Sequence, residues 1–243
     1  MVTIIVETFK NFGLTLSCKK TETMSWNTPE NVQLETSLIS VNNTNLKNVR
    51  KFKYLGHWLS DNLHKTACLG HQFGAAYQKW NEWKNVLTNQ RIKLVTRVKF
   101  AESVIRSRLT YAVQTDRLKA GQKVTIDGVW TRMLRKMIKN GFSKISENSN
   151  VPKYSNQDVL KICRTKSAST FCQVQHLKFM AHVARMDNDA LQKQWLFTQY
   201  PGTKCQWLPL ANDLGIDPIQ LRKTIFDKRK LNELLYVIPA PGS

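Results

Sequence analysis

Two hydrophobic patterns follow one another along the chain and divide it near residue 64. Before that point, apolar positions form short groups between polar and turn-forming residues, which predicts a short helix closed by Gly13 and then small strands. Asn42 and Asn43 supply turn chemistry between two of these strands. Beyond residue 64, apolar side chains recur at three- and four-residue steps, which is typical of helices with one buried face. The pattern predicts an α+β protein that is predominantly α-helical, with a small N-terminal β element.

The helical pattern resolves into several stretches. One stripe runs from Phe73 to Leu87, and a longer stripe from Leu94 to Ala112 falls within a narrow arc at about 100° per residue. A third helix is predicted from about Gln122 to Asn140, closed by Gly141. Tryptophans on these apolar faces are expected in the core: Trp80, Trp83 and Trp130.

The remaining segments are shorter. Ser155 and Asp158 have the spacing of a capping box for a helix through Cys163. Further helices are predicted at 171–184, 189–197, 218–226 and on to 235. The polar stretch 143–155 contains Pro152 and predicts a loop or linker. The expected divisions are residues 1–63, 64–142, the linker 143–155 and residues 156–238.

The charge of the chain indicates what kind of partner it binds. The chain holds 37 Lys+Arg against 17 Asp+Glu, a net charge of +20, although its 42% hydrophobic content is ordinary for a globular protein. Residues 91–140 hold 13 Lys/Arg and 3 Asp/Glu, so half of the net charge lies in a fifth of the chain. Such an imbalance favours a polyanionic partner, RNA and/or DNA, over a surface that is basic only for solubility, because like charges destabilise the compact state.

Basic side chains flank the apolar stripes of two predicted helices. On the helix from residue 94, they lie on both sides of the stripe; on the next helix, they lie opposite the apolar side chains. Such faces are expected to contact phosphates without reading bases. The predicted nucleic-acid-binding residues are Lys93, Arg97, Arg106, Arg108, Arg132, Arg135, Lys136 and Lys139.

The cysteines favour a reducing compartment. Their number, five, is odd and their spacing irregular, so no disulfide framework is expected and the cytoplasm or nucleus is the predicted location. No apolar stretch reaches the about 18 residues of a membrane span. A zinc site is a further alternative, but helical periodicity turns His182 away from the other candidates, so buried cysteines and a core histidine are favoured. The zinc candidates are Cys163, Cys172, His176 and His182.

Short motifs point to one family. The segments 13–22 (GLTLSCKKTE) and 52–56 (FKYLG) resemble, in this order, the last two palm motifs of non-LTR (LINE-type) retrotransposon reverse transcriptases. Further segments resemble the same family in the family's order: 124–139, 155–160, 176–186, and the C-terminal set of Trp207, 213–217 and 227–230. Each motif is weak alone, but their order over most of the chain is far more specific. The chain therefore resembles the palm edge, thumb and downstream region of such an enzyme.

The resemblance implies roles for two motifs. Lys19 and Lys20 match a palm lysine near the incoming triphosphate, although solvated turn lysines are the interpretation that we favour. A second set matches a primer-grip-like hairpin, with an aromatic strand packed on the core as an equal alternative: Phe52, Tyr54, Leu55 and Gly56. The helix from residue 94 corresponds to the thumb, which follows a duplex backbone.

The catalytic pair of this family has no counterpart in the sequence, because no adjacent Asp-Asp occurs. Polymerisation of this kind needs two metal ions held by converging carboxylates. We therefore expect no catalytic residue, metal site or cofactor on this chain, although the intact parent enzyme uses magnesium. The expected function is non-catalytic binding of RNA or an RNA–DNA duplex. The alternatives are a segment of an active reverse transcriptase whose catalytic part is missing, and a remnant without selected function; the oligomeric state stays open.

Overall fold

The structure is a computed structural model of the 243-residue chain. It describes residues 2–25, 39–41, 43–61, 65–113, 118–138, 142–146, 149–152, 154–197, 211–212 and 214–237. Helix accounts for 63% and strand for 9%, which confirms the predominantly α-helical α+β class. The chain divides into two compact units, residues 1–71 and 72–243.

The first unit begins with a helix and continues in short strands. Helix α1 (Val2–Asn11) ends as expected, where Gly13 takes a φ of +71° and donates its N–H to the Lys10 carbonyl at 3.0 Å. The strands are β1 (Glu22–Thr23), β2 (Ser40–Val41), β3 (Thr44–Asn45), β4 (Lys47–Asn48), β5 (Lys51–Tyr54) and β6 (His57–Ser60). They pair two by two, β1 with β4 in parallel, β2 with β3 and β5 with β6 antiparallel.

The β5–β6 hairpin explains the glycine of the second palm-type motif. Leu55 and Gly56 connect Tyr54 to His57, and both have positive φ, +47° and +81°. Positive φ at both central residues is the type I′ turn, whose twist matches that of the paired strands. Gly56 therefore serves the turn of the hairpin.

Helices form most of the second unit. Helix α2 (Lys65–Leu87) crosses the division between the units. The other helical segments are α3 (Leu94–Ala101), a π-helical turn (Glu102–Arg106), α4 (Ser107–Leu109), α5 (Ala120–Met137), α6 (Asn156–Cys163), α7 (Ala168–Ala184), α8 (Leu191–Phe197), α9 (Pro218–Thr224) and α10 (Lys228–Val237). Helix α5 ends before the expected Asn140, because Ile138 is already extended, and Gly141 lies outside the described residues.

The expected linker contains a hairpin. Strands β7 (Phe142–Ser146) and β8 (Ser149–Pro152) pair antiparallel, with Phe142 opposite Pro152. The loop prediction for 143–155 was therefore wrong over most of its length. Pro152 does not interrupt the ladder because it is the last residue of its strand, where a missing N–H is tolerated.

The predicted apolar stripes form the core of the second unit. Helix α5 packs against α3, α6 and α7, and its inner side chains are almost inaccessible to solvent: Ile126, Trp130, Met133, Leu134 and Met137. A further cluster joins the later half of α7 to the C-terminal helices through Leu177, Met180, Ala181, Ala184, Ala211, Leu214, Ile216, Leu221, Ile225, Leu231 and Leu235. No helix among the described residues has the length and apolar character needed to cross a membrane.

The predicted capping box is present at the start of α6. The Asp158 amide donates to Ser155 Oγ at 3.2 Å, and the Ser155 amide donates to Asp158 Oδ2 at 3.2 Å. These hydrogen bonds to the charged form lower the pKa of the Asp158 carboxyl. The spacing of Ser155 and Asp158 in the sequence therefore predicted the start of α6 correctly, although the region is polar.

Candidate nucleic-acid interface

Arg97 is an interior cation, contrary to its expected place on the phosphate-contacting surface. Only 3% of it is exposed. Its Nη1 donates to the carbonyls of Leu87 at 2.9 Å and Met137 at 2.7 Å, and its Nε donates to the Ile92 carbonyl at 3.0 Å. Desolvation by burial lowers the pKa of the guanidinium. With its donors directed at backbone carbonyls inside the protein, Arg97 is removed from the predicted interface.

Arg135 is also buried, at 8% exposure, although it was expected to face outward with its neighbours on α5. Its Nη2 and Nε donate to the Tyr154 carbonyl at 3.2 and 3.4 Å, and Nη2 also donates to Asn156 Oδ1. Desolvation is the main cause that lowers the pKa of Arg135, followed by repulsion from Arg132. Arg135 is buried because the start of α6 packs against the side of α5 that faces away from the core.

Arg106 is largely buried within an ion pair. Its Nη1 donates to Glu102 Oε1 at 2.7 Å, within the same π-helical turn. Its guanidinium carbon lies 4.3 Å from the centroid of the Phe171 ring and 5.8 Å from that of Trp130. Desolvation lowers the pKa of Arg106, while Glu102 acts to raise it. A neutralised cation stacked between helices is poorly suited to phosphate contact, so Arg106 also leaves the predicted set.

The other described members of the predicted set are exposed. They are Lys93, Arg108, Arg132 and Lys136, whereas Lys139 lies outside the described residues. The Nζ of Lys136 is 5.9 Å from the centroid of the buried Trp80 ring, within the range of a cation–π contact, while the Lys136 side chain is exposed to solvent. Exposure makes phosphate contact feasible for these four, and their role stays a prediction.

Three segments that carry exposed cations contact one another near the carboxyl end of α5. On α5 itself, Arg132 precedes Lys136 by one helical turn. Lys136 contacts Trp80 of α2, and Lys84 follows Trp80 by one turn on the same face. We name the complete set the basic cluster: Lys84, Arg91, Lys93, Arg132 and Lys136.

The loop between α2 and α3 contributes Arg91 and Lys93 to the basic cluster. It is fastened to the end of α5, because Gln90 Nε2 donates to the Met137 carbonyl at 3.3 Å and Arg97 bridges the Ile92 and Met137 carbonyls. Neither Lys84 nor Arg91 was among the binding residues predicted from the sequence. Lys84 lies within the first apolar stripe and Arg91 lies between the two stripes, so neither was flagged by its position beside the later helices.

The basic cluster has no acidic counterpart among the described residues. None of its five side chains forms an ion pair with a described carboxylate. Glu82, on the same helix as Lys84, is paired with Lys79 at 2.6 Å, and Glu102 is paired with Arg106. Uncompensated positive charge at one place attracts anions and is screened by salt.

The palm-type motifs lie in the first unit. Lys19 and Lys20 are exposed in a turn where the Lys20 amide donates to the Ser17 carbonyl at 3.0 Å, in keeping with the favoured solvated interpretation. In the β5–β6 hairpin, Phe52 is half-buried, whereas Tyr54 is exposed and Leu55 is 76% exposed. The hairpin tip therefore presents an apolar and an aromatic side chain to solvent.

The four zinc candidates do not share one environment. Cys163, Cys172 and His176 are buried, whereas His182 is exposed. Burial raises the pKa of the Cys163 thiol to about 11 and that of Cys172 to about 12. The described part of the chain contains no group of three or more His, Cys, Asp or Glu side chains arranged to hold a metal ion.

Comparison with protein-family models, with curated proteins and with solved structures finds no match to this chain. The resemblance to reverse transcriptases therefore rests on the sequence motifs, and nucleic-acid binding is inferred from the charges described above.

Proposed function

We propose that this chain binds RNA or an RNA–DNA duplex through the basic cluster. The observation that carries the proposal is a set of five exposed cations on three segments that contact one another, α2, α5 and the loop before α3, without a carboxylate partner among the described residues. The overall charge of +20 acts in the same direction, because it draws a polyanion to the protein from a distance.

Such a cluster is suited to phosphates more than to bases. Lysine is a compact charge on a flexible stem, and three of the five side chains are lysines. Contacts of this kind neutralise phosphates and release counterions, so affinity is expected to fall steeply with salt and to vary little with sequence.

The family resemblance gives this binding a context. In a reverse transcriptase of the non-LTR type, the thumb follows the backbone of the template–primer duplex, and the basic cluster lies at the beginning of the thumb-like α3 and at the end of α5. On this proposal, the chain is a fragment of such an enzyme that retains duplex binding without the Asp-Asp pair. A segment of an active polymerase completed by a missing catalytic part is the alternative.

The test removes charge from the basic cluster and leaves the buried arginines intact. The combined variant Lys93→Gln, Arg132→Gln and Lys136→Gln is expected to bind RNA, DNA and hybrid duplexes more weakly, by similar factors for different sequences. The slope of log K against log salt is expected to become shallower by about 0.7–0.9 for each phosphate that the protein no longer neutralises. Fluorescence anisotropy over a range of salt concentrations measures both quantities.

A matched control has the same decrease in charge at other exposed positions: Lys161→Gln, Lys178→Gln and Arg222→Gln. This variant is expected to keep most of the affinity and of the salt slope. Equal weakening by both variants would mean that only net charge matters, and the basic cluster would have no special role.

Primer extension on an RNA template tests whether the chain has polymerase activity by itself. The purified chain is expected to add no nucleotides, because its sequence has no adjacent Asp-Asp to hold the metal ions. Template-dependent incorporation above a control without protein would contradict the non-catalytic form and favour an active polymerase.

A further inference from the structure

Trp83 lies at the surface, although its place in the apolar stripe of α2 predicted a core residue. It is 36% exposed, in contrast to the fully buried Trp80 and Trp130. Its ring meets that of Phe100 on α3 in a T-shaped pair, with centroids 5.1 Å apart and planes at 75°. An edge-to-face partner fixes the ring while a large part of its area remains in contact with water.

This aromatic pair stands beside the basic cluster. Trp83 follows Trp80 by three residues on α2, and three-residue neighbours share a helix face. The ring of Trp80 is the one that Lys136 contacts, and Lys84 is the next residue after Trp83. An ordered, solvent-accessible indole therefore shares a face of α2 with the tryptophan that Lys136 contacts, one helical turn away.

We propose that Trp83, held by Phe100, stacks against an unpaired base of the nucleic acid whose phosphates the basic cluster binds. The inference rests on the proposed function and adds a ligand class to it, namely a duplex with a single-stranded extension. Bases within a duplex are already stacked and are inaccessible to a side chain, whereas every unpaired base offers a π face.

Charge complementarity favours this occupant over a protein. Lysine is depleted at protein–protein interfaces, where aromatic residues are enriched. Here Trp83 is a helix-face neighbour of Trp80, which Lys136 contacts, and it lies on the same helix as Lys84. Neither lysine is paired with a described carboxylate. An aromatic side chain next to phosphate-binding cations is the combination by which proteins bind single strands without sequence preference.

The experiment compares Trp83→Leu with the wild-type chain on two ligands, a blunt RNA–DNA duplex and the same duplex with a single-stranded extension. Affinity for the extended duplex is expected to fall by about 5- to 100-fold in the variant, while affinity for the blunt duplex stays unchanged. The salt slope is expected to stay unchanged on both ligands, because the substitution removes no charge. Trp83→Tyr is expected to recover most of the affinity, since it keeps an aromatic face.

Tyr236→Leu is the matched control, because Tyr236 is an aromatic residue of α10 that is 89% exposed. It is expected to leave both affinities unchanged. Circular dichroism and thermal unfolding establish that each variant is folded.

The outcomes separate this inference from the proposed function. If the wild-type chain binds neither ligand, the proposed function and this inference both fail. If it binds both ligands, and Trp83→Leu either matches the wild type or loses affinity equally for both, the stacking role fails while phosphate binding stands. Failure of Trp83→Tyr to recover binding would also overturn it, and would favour a docking role for the indole itself, such as contact with a protein.

Discussion

The Nη1 of Arg97 donates a hydrogen bond of 2.7 Å to the carbonyl of Met137, a residue 40 positions further along the chain. The same nitrogen donates to the Leu87 carbonyl at 2.9 Å. Leu87 and Met137 are the last residues of α2 and α5, so the cation lies at two helix carboxyl ends. Such ends carry unpaired carbonyls and favour positive charge. Arg97 thereby fixes the loop that presents Arg91 and Lys93.

Replacement of Arg97 by Met is expected to lower the free energy of unfolding by about 3 kcal/mol, because buried carbonyls at two helix ends lose their donors. Urea denaturation followed by circular dichroism measures the effect. Lys99→Met is the control, since Lys99 is an exposed cation of the same helix, and its effect should stay within about 0.5 kcal/mol. Equal stability of the Arg97 and Lys99 variants would contradict the interior role of Arg97.

A second polar contact joins α5 to α7. The Asp127 carboxylate accepts hydrogen bonds from the Ser169 amide at 2.7 Å and from Ser169 Oγ at 2.6 Å, in the first turn of α7. A negative charge and an acceptor at a helix amino end both stabilise the helix. Asp127→Ala is therefore expected to lower the free energy of unfolding by about 1–2 kcal/mol.

A double-mutant cycle gives the control for this pair. In the Asp127→Ala background, Ser169→Ala is expected to cost less than it does in the wild type, because the hydroxyl no longer has its acceptor. Strictly additive effects would mean that the two side chains do not depend on each other.

Much of the fold follows from patterns that are local in sequence. The apolar stripe from Leu94 predicted one helix, and the structure has α3, the π-helical turn and α4 over this stretch. The prediction succeeds because helix geometry alone sets the spacing of the apolar residues. The start of α6 was likewise fixed by Ser155 and Asp158, two residues that satisfy each other within one turn.

The cations were predicted less well, and the reason is physical. A helical wheel assigns one buried face, whereas α5 contacts α3, α6 and α7. Arg135 lies on the face away from the core stripe, yet it donates to the Tyr154 carbonyl. Its burial depends on where the chain returns after the β7–β8 hairpin, which no spacing rule contains. Charge density thus located the region of the candidate site but could not separate its exposed cations from its interior ones.

The buried thiols provide a prediction about reactivity. The pKa values of Cys163 and Cys172 are raised to about 11 and about 12, chiefly because burial disfavours the thiolate. A rise of two units from 9.0 leaves about 100-fold less thiolate at pH 8 for Cys163, and Cys172 has less still. Both are expected to resist iodoacetamide in the native protein while half-buried Cys18 is alkylated, as peptide mass spectrometry would show.

The same pKa shifts determine how the stability of the fold changes with pH. The native state keeps the two protons that the unfolded chain loses above about pH 9, so the contribution to stability is complete below that pH and is lost as the pH rises towards the folded-state values. Unfolding of the chain before alkylation should abolish the difference between cysteines. Native alkylation of Cys172 as fast as that of Cys18 would show that the thiol is accessible.

The first unit is expected to be the least protected against hydrogen exchange. Its strands are two to four residues long, and the apolar side chains of Ile4, Phe9 and Phe12 in or beside α1 are exposed. Few buried side chains and short ladders lower the free energy of local opening. In α3 and α5, by contrast, Val98 and Trp130 are buried in the core. Exchange measured by mass spectrometry should therefore be faster for the amides of α1 and β1–β6 than for those of α3 and α5. Equal protection in the two regions would show that the exposed apolar side chains of α1 are covered in solution, by a second copy of the chain or by another partner.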